Sequence, residues 1–407
     1  MQARPSQARE KLLNSALSVI RSKGFAATSV EELCAAAGVT KGAFFHHFPS
    51  KEALGVAAAD YWSDFTGALF EAAPYHDHED PLERVLAYID FRRLLLTGEL
   101  PDYTCLVGTM VQETYLTTPA IRDACHASIS GHALTLVPPG SHFEGRLLSR
   151  YGNAINYEKG DYDSARLAFD RAMEIAKRER DVALEMRTTT YAACLDGEHL
   201  RVHESLSNSL RTVEMARLVV NPQAELLARF WAATAHYSLG ESSHAVAHAA
   251  ACLNLAGRLR VPSQLTTALW TNETLARLQG DWKAAKAYSE QGLELAPYDS
   301  RLLSSRLLLE YQAGDPAEGQ IFLDRMLEVM RQEEAGPDLE FALPAITIPL
   351  VARFAGGDLD AAGEAARTVL SADSVSPSLA LLARAGLALA AVERSDSTGA
   401  VEHYGFL

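Results

Sequence analysis

"GVTKGAFFHHFPSK" (residues 38–51) sets a glycine turn, a Thr-Lys-Gly start and five rings, histidines counted, within fourteen residues. The stretch follows two helix signals. "QAREKLLNSALSVIRSKGF" (7–25) carries Leu12, Leu13, Ala16, Leu17, Val19 and Ile20 at i, i+3, i+4 spacing, an amphipathic helix that Gly24 should end. "TSVEELCAAAG" (28–38) opens a second, short helix with Ser29 and Glu32 at capping-box spacing. Thr40 is a natural N-cap for a third helix reaching about His47. "PSKEAL" (49–54) starts a fourth with Ser50 as a plain cap, because Ala53 cannot reach back. Two short helices across a tight glycine turn make a helix-turn-helix, whose second member fits a major groove. In such a unit Thr40, Lys41, Gly42 and Ala43 suit the groove end, and His47 and Lys51 are placed to reach phosphates. Phe44 and Phe48 belong to a three-helix core.

The charge balance singles out the same section. The 407 residues carry a net charge of −15. Residues 1–55 nevertheless hold seven Lys/Arg against four Asp/Glu, residues 56–133 four against twelve, and residues 134–407 26 against 36. Only the first section is basic, as a nucleic-acid footprint requires. No run of about 18 apolar residues marks a membrane span, and "MQARPSQAREKLLNSAL" (1–17) lacks the apolar core of a secretory signal. The five cysteines have no CxxC spacing, which favours free thiols in a reducing, cytoplasmic setting.

"TSVEELCAAAGVTKGAFFHHFPSKEAL" (28–54) resembles the DNA-binding segment of TetR-type transcriptional repressors nearly position for position. The resemblance implies double-stranded DNA as a partner. It implies that Thr28 or Ser29 caps the helix bracing the backbone, that Thr40, Lys41, Gly42 and Ala43 face the groove, and that His47 and Lys51 touch phosphates. Where the family usually has tyrosine this chain has Phe45, which lacks the phosphate-binding hydroxyl. The likeness covers residues 1 to about 133. It implies a helical domain for a small-molecule inducer over 51–133 and a homodimer, although no counterpart of the family's dimerising helix pair follows. "LTLVPPGSHF" (134–143) is rich in Pro and Gly, and 134–142 is read as a linker.

"CLVGTMVQE" (105–113) resembles the branch of that family that senses oxidants or electrophiles through a cysteine, which makes Cys105 the candidate thiol. No Lys, Arg or His lies within a turn of it in sequence, so a small buried core residue is the competing reading. Cys125 and His126 read as packing and surface residues. "HDHED" (76–80) offers metal-type donors without helical spacing and reads as a solvated loop.

From residue 143 onward a Gly-polar step recurs: "GDYDSA" (160), "GEHLRV" (197), "GESSHA" (240), "GDWKAA" (280), "GDPAEG" (314) and "GDLDAA" (357), with "SDSTGA" (395) a degenerate seventh. The spacings of 37, 43, 40, 34, 43 and 38 residues point to a solenoid of helix pairs. Positions +5, +9 and +12 after four of these steps form one face of a helix: Ala165/Phe169/Ala172, Ala245/Ala249/Cys252, Ala285/Ser289/Gly292 and Ala362/Ala366/Val369. These units resemble divergent tetratricopeptide repeats, and the wider tract resembles the repeat regions of large LuxR-type and signalling-ATPase regulators. The array ends at Leu407 without a polar capping helix and so reads as incomplete.

His244, His248 and Cys252 share one helix face at metal-ligand spacing, but Cys252 falls in the small-residue core slot, so no metal is expected. No GxxxxGK[ST], GxSxG or HExxH pattern occurs, and neither a catalytic residue nor a cofactor is expected. The expected architecture is all-α: helix-turn-helix (1–50), partial helical sensor domain (51–133), linker (134–142) and tetratricopeptide-like array (143–407). The expected function is DNA-binding transcriptional regulation with a protein partner on the array. The alternative is an interaction scaffold with a vestigial helix-turn-helix.

Overall fold

The computed structural model describes residues 7–115, 117–332, 339–355, 358–372 and 375–405. The regular structure among them is helical, and they divide into two compact units, one up to Glu158 and one from Lys159 onward. Among the described residues no helix is long and apolar enough to cross a membrane.

The first unit contains α1 (Gln7–Lys23), α2 (Val30–Ala37), α3 (Lys41–His47), α4 (Lys51–Glu71), α5 (Pro81–Leu94), α6 (Leu100–Tyr103), α7 (Leu106–Thr114), α8 (Pro119–Leu136) and α9 (His142–Lys159), with a 3-10 turn at Pro74–Asp77. Most of the stretch read as a linker is the gap between α8 and α9. One apolar core runs through the unit. Leu12, Ala16 and Ile20 of α1, Leu33 of α2 and Phe44 of α3 share it with Leu54 and Ala58 of α4, Met110 of α7 and Ile121 of α8. Helices α1–α3 and helices α4, α7 and α8 therefore share one core. A second cluster gathers Phe70, Tyr75, Tyr88 and Phe91.

The second unit runs α10 (Tyr162–Glu179), α11 (Val182–Glu198), α12 (Val202–Leu218), α13 (Pro222–Ser238), α14 (Ser242–Leu259), α15 (Pro262–Leu278), α16 (Trp282–Leu295), α17 (Ser300–Ala313), α18 (Pro316–Gln332), α19 (Leu339–Ala355), α20 (Leu359–Leu370), α21 (Pro377–Glu393) and α22 (Ser397–Tyr404). Sequential helices pack as antiparallel pairs. The odd-numbered helices also pack on one another, α11 on α13, α15 on α17, α17 on α19 and α19 on α21, and α11 also meets α21. The small-residue face falls where the spacing put it: Ala165, Ala172, Ala245, Ala249, Ala285, Ser289 and Ala366 are wholly inaccessible, and Phe169, Cys252 and Ala362 nearly so.

The turns keep a stricter period than the glycines show. Left-handed residues stand at Gly160, Arg180, Leu200, Val220, Gly240, Arg260 and Gly280, one every twenty residues. Gly197 is not a turn: it lies inside α11, where a side chain would collide with the ring of Trp231. The irregular early spacings therefore become a uniform forty-residue unit, in which Leu200 replaces glycine at the start of the second unit. Gly357 and Leu407 lie outside the described residues.

Candidate nucleic-acid interface

Local chemistry sets the helix-turn-helix. Ser29 Oγ accepts from the Glu32 amide at 3.3 Å while Glu32 accepts from the Ser29 amide at 2.9 Å, which completes the capping box. Glu32 also binds Lys23 at the end of α1, and that contact leads the effects holding its carboxyl down to about 2. Gly38 ends α2 at φ +66° with open space around it, so backbone conformation, not crowding, calls for glycine there. Thr40 Oγ1 accepts from the Ala43 amide at 3.2 Å and starts α3. Phe44 is fully buried, its ring 5.1 Å from Phe45 and 5.9 Å from Phe48. Buried Phe44 and Phe48 fix the roll of α3, which leaves Thr40, Lys41 and Gly42 exposed and Ala43 half-buried.

The remaining candidates divide. Thr28 is buried and donates its hydroxyl to Gly24 O at 2.7 Å, so of the two possible caps Ser29 is the one formed. Lys41 pairs with Glu31 of α2, both exposed, and that contact is the main reason the Glu31 carboxyl titrates low. Phe45 is 53% exposed, at the place where a tyrosine hydroxyl would point outward. His47 is half-buried with its ring 4.8 Å from His46. Lys51 turns inward: its ammonium donates to the carbonyls of Phe25 (3.3 Å) and Thr28 (3.2 Å) and lies 4.5 Å over the Phe25 ring. It braces the turn between α1 and α2.

Cys105 is exposed and caps α7, its sulfur accepting from the Gly108 amide at 3.4 Å. The competing reading, a buried core thiol, is corrected. The sequence gap in nearby cations is also closed in space, because Arg21 of α1 donates to Thr104 O at 2.7 Å and interacts electrostatically with Cys105. Thr104 returns a bond to Arg21 O, and Glu113 at the far end of α7 accepts from the Ala26 amide at 2.8 Å. Both ends of α7 are thus tied to the segment that enters the helix-turn-helix. Cys125 is buried. In the polar loop, His76 donates to Phe70 O at 3.0 Å and Asp80 caps α5.

In the array Cys252 is buried, and desolvation pushes its thiol up to about 12, far from a metal-binding thiolate. His244 instead meets two residues that the sequence reading did not single out, His236 of α13 and Glu241 in the turn. Aligning the units at forty residues would have flagged them, since His236 and His244 stand where the next unit has Ala276 and Ala284.

Residues 12–58 match the family model of bacterial regulatory proteins, tetR family. The HTH-type transcriptional regulator YerO of Bacillus subtilis is 39% identical over 57 residues, 14% of this chain and 20% of the relative. Transcriptional regulator AcuR of Cereibacter sphaeroides is 28% identical over 108 residues, 26% and 49% of the two chains. The chain thus spans at most about half of these relatives' length. Among solved structures, apo RapI aligns over 89% of this chain and 96% of its own, at 14% identity and a TM-score of 0.50. A Rap protein complexed with Competence and Sporulation Factor aligns over 86% and 97%, at 13% identity and a TM-score of 0.52. The chain thus carries an N-terminal segment that matches the tetR-family model, within a helical fold similar to that of the tetratricopeptide-like Rap proteins.

Proposed function

We propose that the chain is a DNA-binding transcriptional regulator whose α3 enters the major groove and whose array binds a protein or peptide partner. The observation that carries this reading is the exposed Thr40-Lys41-Gly42 edge, held in a fixed orientation by the buried Phe44 and Phe48. Lys41 supplies the phosphate or base contact and exchanges Glu31 for DNA. Thr40 and Ala43 face the bases, His47 meets the backbone, and Lys51 holds the turn that presents Ser29 and α2. An inducer site in the sensor helices is supported by the buried Tyr75 hydroxyl, which has no hydrogen-bond partner within the Phe70–Tyr88–Phe91 cluster. Cys105 is the proposed redox or electrophile sensor, with α7 carrying its state to Ala26 and Arg21. The proposed assembly is a homodimer spanning two half-sites, in the cytoplasm and without catalytic activity.

A second reading, a scaffold with a vestigial helix-turn-helix, draws on Phe45 and the inward-turned Lys51, both of which weaken the phosphate grip. Fluorescence anisotropy on duplexes selected from a random pool, at several salt concentrations, separates the two. The regulator reading expects sequence-selective binding. Lys41→Ala should weaken all duplexes and reduce the salt slope by about 1, while Thr40→Ala should shift the preferred sequence. Equal affinity for selected and random duplexes would favour the scaffold.

A further inference from the structure

In the repeats starting at Gly160 and Gly280, an aspartate caps the helix that follows the glycine. Asp161 and Asp281 each accept from the amide three residues on. In the repeat starting at Gly240 the same position is Glu241, whose side chain makes no such cap. It turns back to α13, where its Oε2 lies 2.6 Å from Nδ1 of His236. His244, one turn into α14, stacks on His236 with ring centroids 5.0 Å apart and planes 26° apart. One donor atom from each of His236, Glu241 and His244 lies within 4.8 Å of the others. His236 is buried, whereas Glu241 and His244 are exposed.

The repeat frame is an internal control for what packing requires here. Forty residues on, the places of His236 and His244 are taken by Ala276 and Ala284 with the same helix pair formed. Forty residues earlier, Asp196 occupies the place of His236. It is closed off by hydrogen bonds from Tyr162 (2.9 Å) and Asn208 (2.8 Å). The fold thus needs neither imidazole, and in this one unit two imidazoles and a carboxylate converge at an open edge.

We propose that His236, Glu241 and His244 form a binding site for a divalent transition-metal ion of the zinc class, clipping the end of α13 to the start of α14. Two imidazoles and one carboxylate are a ligand set that such ions favour over magnesium or calcium. Bonds of about 2.0–2.1 Å in a tetrahedral site set donor atoms about 3.3 Å apart, so the His236–Glu241 contact at 2.6 Å opens slightly while His244 closes in. The two exposed side chains supply that movement, with His244 leaving its stack while His236 stays fixed. His248, also stacked on His236 with centroids 5.3 Å apart, forms the wall and lies 3.5 Å from the Arg229 guanidinium. That guanidinium does not repel the ion as a bare charge would, because Glu225 holds it at 2.7 Å. Three protein ligands leave a coordination position facing solvent, open to water or to a donor from whatever the array binds.

The test uses the full-length chain stripped with chelator and titrated with Zn2+ by calorimetry, with thermal melts on the same samples. One site of micromolar affinity or better and a higher melting temperature with Zn2+ are expected. Glu241→Gln and His244→Asn, both at exposed positions, should each weaken that site about 10- to 100-fold and remove the thermal gain. His203→Asn, on the exposed start of α12, should leave both unchanged. Co2+ in place of Zn2+ should give the intense visible absorption of a four-coordinate site, lost in the same two variants. A tight site that survives Glu241→Gln and His244→Asn, or the absence of any tight site in the wild-type chain, would overturn the proposal.

Discussion

The helix-turn-helix and the repeat array are both built from short helices joined by tight turns, yet they place their polar groups in opposite ways. Between Thr28 and Lys51 Phe44 and Phe48 face in while Phe45 and most polar tips face out, and every candidate contact with DNA falls within that contiguous stretch. The array does the reverse. Its odd-numbered helices bury Asp196, Arg229, Glu273, Arg277, Arg306 and Glu310, each answered by residues on its own or neighbouring helices. The exposed polar edge of the helix-turn-helix is written locally, whereas the inner row of the array, helix stacked on helix, is written across units. Three substitutions probe that contrast.

The largest effect should come from Phe44→Ala. Phe44 is fully buried in the one core that joins α1, α2 and α3 to α4, α7 and α8. Truncating a buried phenylalanine costs about 3–5 kcal/mol. Because the core is shared, α4, α7 and α8 should lose protection together with α2 and α3, while α10–α22 keep theirs. Hydrogen exchange resolved by peptide checks this. Loss of protection confined to residues 7–50 would show that the first unit is two bodies, and uniform loss would show that the array depends on it.

Much of this was legible in the sequence, for identifiable reasons. The capping box at Ser29 and Glu32, the Gly38 turn and the inward Phe44 and Phe48 rest on local rules, and they stand in the structure as written. The inward turn of Lys51 was not legible, because the carbonyls that hold it belong to residues 23 and 26 positions earlier. In the array the glycines marked every second turn only. The alternate turns use Arg180, Val220 and Arg260 in the left-handed region, a conformation costing L-residues roughly 1–2 kcal/mol. Nothing in those residue types announces it, and a non-glycine turn at Leu200 made the true period look irregular. The cluster at His236 was hidden because one of its three members sits on the preceding helix and the true forty-residue period was masked.

A second, smaller effect tests how tightly the array's inner row is fitted. Gly386 of α21 lies against the backbone of α19, where an added Cβ would stand 2.6 Å from the carbonyl carbon of Ala345 and closer still to its oxygen. Proline at 349, inside α19, has no N–H to offer that same carbonyl four residues back. The helix approach is therefore backbone against backbone, with no side chain to swing aside. Gly386→Ala should destabilise the array by about 3 kcal/mol, the upper end for overpacking, despite alanine's better helix propensity. Denaturant melts followed in the second unit would show it. A neutral or stabilising result would mean that α19 and α21 slide easily, and that the inner row is far looser than its small residues suggest.

The smallest of the three effects concerns the buried charges. Glu273 is wholly inaccessible on α15 and accepts from Ser305 of α17, with the Arg277 guanidinium 4.0 Å away. Burial outweighs these partners and pushes its carboxyl up to about 7 from 4.5. A raised acid favours the folded state fully only below the unfolded value, near 4.5, and that contribution is lost as pH rises through about 7. The wild-type array should therefore lose about 2 kcal/mol between pH 5 and pH 8 from this group alone. Glu273→Gln keeps an oxygen to accept from Ser305 and has no proton to lose, so its stability should be flatter across the same window. Urea midpoints at the two pH values read the difference directly. Parallel pH profiles for the two proteins would mean that Arg277 and the hydroxyls hold Glu273 ionised, so the array would tolerate a buried charge as the helix-turn-helix tolerates an exposed one. A flatter profile in the variant would show that the array, unlike the helix-turn-helix, carries a titratable group that its own packing keeps neutral.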